Sequence, residues 1–145
     1  MGMIDNYGKF AIDQAITATG DTVSTNIYDS GSIHSADIGL NDELWINAVC
    51  SEKVTSGGAA TVQAVLQTSD DSTTWVDALA GQTIPVAQLD TGTALLQAKV
   101  PVGLKRYTRI AWRVGTAALT AGTFSAFFSK DVQNNIARPS GFKVE

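Results

Sequence analysis

Residues 60–75 read ATVQAVLQTSDDSTTW. In the first nine, Val62, Ala64, Leu66 and Thr68 fall on one side of an extended chain, because successive side chains of a strand point to opposite faces. The polar cluster that follows places Asp70 and Asp71 among small hydroxyl residues ahead of Trp75. Such side chains accept hydrogen bonds from a turn's own backbone, so the segment predicts a chain reversal, with Trp75 opening the returning strand. A calcium site needs about six or more oxygens, which two adjacent acids do not supply. The stretch reads as a hairpin without a bound ion.

The same alternation extends along the chain. TVSTNIY (22–28) sets Val23, Thr25 and Ile27 on one face, and ELWINAVC (43–50) sets Leu44, Ile46, Ala48 and Cys50 opposite Trp45 and Val49. Further strands are expected in TWVDAL (74–79), QTIPV (82–86), ALLQAKV (94–100), KRYTRIAWRV (105–114) and GTFSAFFSK (122–130), separated by SGG, LDTG, PVG and TAG turns. No amphipathic segment is long enough for a substantial helix. The expected fold is all-β: one antiparallel β-sandwich domain over residues 1–145, a jelly roll of about eight strands, with immunoglobulin-like topology as the competitor. Its expected core is Val23, Ile27, Leu44, Ile46, Val62, Leu66, Ile110, Trp112, Phe124 and Phe128.

The single cysteine rules out an internal disulfide, so packing alone must hold the fold, as suits a reducing cytoplasm. No apolar run reaches membrane-spanning length, and MGMIDNYGKF lacks the basic and apolar blocks of a secretory signal. Met1-Gly2 does not make a myristoylation signal, because Asn6 stands where Ser or Thr is required. A soluble protein is expected, with no membrane partner.

Charge is unevenly placed. Residues 1–71 hold ten acids and two bases, and residues 72–145 hold four acids and eight bases. Either the halves cancel across the sheets, or they form an acidic and a basic face suited to docking. An acidic chain whose basic stretch lacks a binding fold is a poor nucleic-acid ligand.

Enzyme chemistry has little material. His34 is the only histidine, in a loop without a marked nucleophile, and Cys50 shares a face with apolar residues. One His and one Cys give no zinc spacing. No catalytic residue, metal ligand or cofactor is expected. The candidate functional residues are instead those of a protein interface. On KRYTRIAWRV, Lys105, Tyr107, Arg109 and Arg113 share a face as a basic stripe, opposite a face with Ile110 and Trp112. The ends, residues 1–20 and 131–145, show no sustained period and read as extended arms that either fray or lie on a neighbour. Their apolar residues Phe10, Ile12, Ile136 and Phe142 complete the candidate set.

Two resemblances bear on these readings. Thr68, Asp70, Ser72, Thr74 and Trp75 resemble the Asp-box hairpin of sialidases and related propellers, a structural element, with Ser72 where glycine is expected. More extensively, DQAITATGDTVSTNIYD, ADIGLNDELWINAVCSE, VTSGGAATVQAVLQTSDD, TIPVAQL, LKRYTRIAWRV and TAGTFSAFFSKDVQ, in that order, resemble the capsid cement, or decoration, proteins of short-tailed bacteriophages. The likeness runs from Asp13 to Gln133. Ser72–Thr74 is shorter than the usual loop, and nothing past Gln133 has a counterpart. The resemblance implies a jelly roll on the outside of a phage head, made in the bacterial cytoplasm, that clamps neighbouring major capsid proteins and associates with its own copies, as a dimer or trimer, near symmetry axes. It implies no catalysis. The other binding reading is a carbohydrate-binding or lectin-like module with Trp45, Trp75 or Tyr107 as a sugar platform.

Overall fold

The computed structural model describes residues 8–31 and 44–129. They include ten strands and the 3-10 turn Val86–Gln88. The strands are β1 (Lys9–Ala15), β2 (Gly20–Val23), β3 (Tyr28–Asp29), β4 (Trp45–Ser56), β5 (Thr61–Ser69), β6 (Val76–Ala80), β7 (Ile84–Pro85), β8 (Ala94–Lys99), β9 (Tyr107–Gly115) and β10 (Leu119–Ser129). All pairings are antiparallel.

Sheet A has the order β1-β10-β4-β8 and sheet B the order β2-β9-β5-β6, with the two-residue strands β3 and β7 extending β9 and β5 pairing. Along the chain the eight main strands visit sheets A, B, A, B, B, A, B and A. That alternation, with first and last strands adjacent, is two interlocked Greek keys, the jelly roll, and it excludes the immunoglobulin-like alternative.

Between the sheets lies one apolar cluster in which Ile46, Val62, Leu66, Ile110, Trp112, Phe124 and Phe128 are all buried. Their alternation along β4, β5, β9 and β10 matches the expected register. Trp112 meets Phe124 at 5.1 Å between ring centroids, and Phe128 takes the edges of Phe10 at 4.8 Å and Tyr28 at 5.7 Å. The Trp112 indole N–H donates to Gln14 Oε1, while Gln14 Nε2 donates to the Val23 carbonyl. One side chain thus ties sheet A's edge to sheet B and satisfies a buried donor.

Three expectations at the N-terminal end are corrected. Within the expected arm over residues 1–20, Lys9–Ala15 forms an edge strand of the sandwich and β2 starts at Gly20. Phe10 is therefore a core residue, 1% exposed, and not a free arm aromatic. Val23 and Ile27, expected inside, are 40% and 44% exposed. The phase of this segment is shifted by one: Thr22 faces Trp112 and Val23 lies opposite Ala111 on the outer side. Ser24 takes the inner position, where its hydroxyl accepts the Ile110 N–H, so the ladder ends and Ser24 to Ile27 form no strand. Leu44 is partly buried against the core.

β1 carries an irregularity without a sequence warning. Its register on β10 shifts between Lys9 and Ala11 and again between Ala11 and Gln14. Asp13 there has φ +49°, and its N–H donates to the Ser125 hydroxyl. Asp tolerates this left-handed conformation better than most residues.

Candidate docking surface

The hairpin Leu66–Trp75 positions the aromatic edge of the surface. Ser69 Oγ donates to Asp71 Oδ1 and accepts the N–H groups of Asp71 and Ser72. Asp71 Oδ1 in turn accepts the N–H groups of Thr73 and Thr74, both at 2.9 Å. Those backbone donors hold the Asp71 carboxyl well below the usual carboxylate range. Ser72 has φ +63°, the conformation glycine adopts without strain, and its carbonyl accepts the Trp75 indole N–H at 3.3 Å. The acids of this stretch thus serve the turn, with Asp70 paired to Lys105 Nζ at 2.9 Å.

β9 supplies the cations. Thr108, Ile110, Trp112 and Val114 point inward, which turns Tyr107, Arg109, Ala111 and Arg113 to the outer face of sheet B, while Lys105 precedes the strand. The expected basic stripe lies on this outer face, with its arginines engaged by neighbouring strands. Arg113 grips Asp21 on β2 through Nε at 2.9 Å and Nη2 at 3.1 Å, and reaches Asp77 on β6 at 3.3 Å. Asp77 also accepts Gln67 Nε2, and Gln67 Oε1 accepts Arg109 Nε, both at 2.9 Å. Arg109 lies over the Trp75 ring, 4.0 Å from its centroid. Asp21, Arg113, Asp77, Gln67, Arg109 and Trp75 therefore form a continuous polar belt across β2, β9, β5 and β6. Under it Val65 and Ala111 are fully buried on the outer face, in register between the Gln67–Arg109 and Gln63–Arg113 pairs.

Electrostatics follow these contacts. Hydrogen bonding from Arg113 pulls the Asp21 carboxyl down, against the opposing effect of burial. The same bond raises the Arg113 guanidinium. Burial lowers Arg109, partly countered by the Asp21 charge. Arg106 holds Asp29 bidentately at 2.8 and 3.1 Å and lies 4.9 Å from the centroid of the Tyr107 ring. The N-terminal excess of acids thus meets the C-terminal excess of bases within sheet B, which favours cancellation over separate charged faces.

The remaining candidates are scattered. Ile12 is 39% exposed on β1, and Val23 and Ile27 are exposed on the segment whose Asn26 N–H donates to the Phe10 carbonyl. Ile136, Phe142 and His34 lie outside the described residues. Cys50 is buried, donates to the Glu52 carbonyl, and is pushed up to about 11 by burial. Among the described residues no three His, Cys, Asp or Glu side chains converge as metal ligands. Asp21, Asp77 and Gln67 were not among the expected site residues. Their signal was the charge asymmetry of the two halves, which gives the sign of the partners but not their register.

A family model, Bbp16, matches residues 10–128. The chain belongs to the Bbp16 family. The Bbp16 match begins at Phe10 and ends at Phe128, whose rings pack edge to face at 4.8 Å. It therefore spans the whole jelly roll, from β1 to the penultimate residue of β10. No curated protein matches the chain.

Proposed function

We propose that this protein is a capsid cement, or decoration, protein. In this reading it sits on the outside of a bacteriophage head, clamps neighbouring major capsid proteins and associates with copies of itself near symmetry axes. Its role is structural and needs no cofactor. The observation that carries the reading is the ordered likeness to cement proteins from Asp13 to Gln133, which coincides with the region of the Bbp16 match and with the jelly roll itself.

The belt on sheet B suits such a role. A clamp must present a fixed surface, since ordering loose side chains on docking costs about 0.5–1.5 kcal/mol each. Here the side chains are already held by one another across four strands. Many modest contacts repeated over a lattice then add through avidity. The sugar-platform reading is disfavoured by the aromatic rings: Arg109 covers Trp75, Arg106 lies over Tyr107, and Lys99 lies 5.9 Å from the Trp45 centroid.

The test is to incubate the purified chain with empty heads and measure decoration by co-sedimentation and the heads' resistance to heat. Saturable decoration with a raised disruption temperature is expected. Absence of decoration by folded protein sinks the reading.

A further inference from the structure

The four cations at Lys105, Arg106, Arg109 and Arg113 are not equivalent. Lys105 is paired with Asp70, Arg106 with Asp29, and Arg113 with both Asp21 and Asp77. Among the described residues, Arg109 alone of the four has no carboxylate partner. Its Nε is engaged by the neutral amide oxygen of Gln67, and its plane lies over Trp75. Gln67 is itself 6% exposed and fixed by Asp77, so the guanidinium is set by a rigid support. Among the described residues Nη1 and Nη2 have no hydrogen-bond partner, and they form an edge of two parallel donors spaced to match the two oxygens of a carboxylate.

We infer that Arg109, seated on Trp75 and held by Gln67, is a docking point for an Asp or Glu side chain of a different protein. This rests on the cement reading only for the source of that side chain, the surface of the capsid protein. A second copy of this chain fits less well. If this face met itself, the carboxylates it could offer, Asp21, Asp77 and Asp70, are already engaged by Arg113 and Lys105. The pairing would be short-range. Arg109 and Arg113 are balanced by Asp21 and Asp77, so the belt has little net charge to steer a partner from a distance, and the contact acts mainly on release. An arginine stacked on a tryptophan also has the residue types that dominate interface energetics.

Two experiments separate this inference from the cement reading. In the first, the 15N-labelled chain is titrated at low salt with a capped tetraglutamate peptide and, as control, tetraglutamine. Glutamate should shift the Arg109 Nε–H and Trp75 indole signals, glutamine should not, and Arg109→Gln should abolish the Trp75 shift. Shifts confined to Lys105, Arg106 and Arg113, or none at all, overturn the inference. In the second, decoration of empty heads is compared for the parent chain, Arg109→Gln, Arg109→Lys and Arg106→Gln, with thermal melts showing that each is folded. Both Arg109 variants should bind about tenfold more weakly, the lysine because it lacks the fork, and Arg106→Gln should lose less than about threefold. Equal decoration by Arg109→Gln overturns the docking point and leaves the cement reading standing. A parent chain that ignores heads yet shows the glutamate shifts does the reverse.

Discussion

The two outer faces of the sandwich solve one problem in opposite ways. On sheet B, fully buried Val65 and Ala111 are flanked in register by Arg109 and Arg113, the second held at the surface in ion pairs and the first by Gln67 and Trp75. On sheet A the outward positions at the middle of β4 and β10 include Asn47, Val49, Ser125 and Phe127, each at most 3% exposed. No ion pair among the described residues involves β4 or β10. Sheet A is therefore buried on both sides at the middle of its central pair, whereas sheet B offers water a polar, prearranged surface. The contrast favours sheet B as the docking face: its charged heads remain accessible to a partner, while the corresponding positions of sheet A are not.

The largest effect should come from treating Phe127 as a core residue. It is fully buried although it points away from the inter-sheet core. Phe127→Ala should cost about 3–5 kcal/mol, the range for a buried aromatic, and lower the melting temperature by about 10 °C. Trp112→Ala, from the inner core, should cost about as much. A loss below about 1 kcal/mol for Phe127→Ala would show that sheet A's outer face behaves as surface and would break the comparison.

Next in size is a backbone contact between the free sides of the two sheets. Gly81 follows β6 of sheet B, and a Cβ there would sit 2.4 Å from the Leu95 carbonyl oxygen on β8 of sheet A and 3.1 Å from that of Ala64. Neither neighbour is a flexible side-chain end. Gly81→Ala should cost about 2–3 kcal/mol by overpacking, whereas Gly57→Ala, with open space around it, should be close to neutral. Equal melting curves for the two variants would refute the close approach.

What was legible in the sequence tracks with locality. Strand faces in β4, β5, β9 and β10 are a property of alternation within a few residues, and Ile46, Leu66, Trp112 and Phe128 fell where expected. The hairpin at Asp70–Trp75 was legible for the same reason, because its donors and acceptors lie within a few positions. Val23 and Ile27 failed because their segment sits at the edge of sheet B, where Ser24 ends the ladder and competes with strand continuation. Phe10 failed because the short run around it has a bulge, which breaks the period that marks a strand. For the site, β9's outward cations were visible, yet their partners Asp21 and Asp77 lie 92 and 36 residues away. A lone strand's face looks bare until topology supplies its neighbours.

The belt's own contribution should be modest and dependent on pH. Arg113→Gln removes exposed pairs to Asp21 and Asp77 and should cost about 1 kcal/mol after solvent screening. The Asp21 carboxyl is lowered in the folded state, so its contribution is fully present above the unfolded value of about 4 and is lost as pH falls through the lower folded value. The melting-temperature gap between parent and variant should therefore be constant from pH 5 to pH 7 and narrow below about pH 4. A gap that widens on acidification would have the wrong sign for this pairing.

The smallest effect tests the support of the docking point. Ser72 is held at φ +63° in the turn that carries Trp75, and it is tied into that turn through its backbone: the Ser72 N–H goes to Ser69 Oγ and its carbonyl accepts the Trp75 indole. Both contacts belong to the backbone, so glycine keeps them. Releasing a non-glycine residue from the left-handed region gains about 1 kcal/mol, and the extra freedom of glycine in the unfolded chain returns roughly half to all of it. Ser72→Gly should then be neutral or raise stability by up to about 0.5 kcal/mol, with Trp75 fluorescence unchanged because the Arg109 stack is untouched. A fall of more than about 0.5 kcal/mol, or a shifted Trp75 emission, would mean that the serine side chain helps seat the tryptophan, and the rigid platform under Arg109 would have to include it.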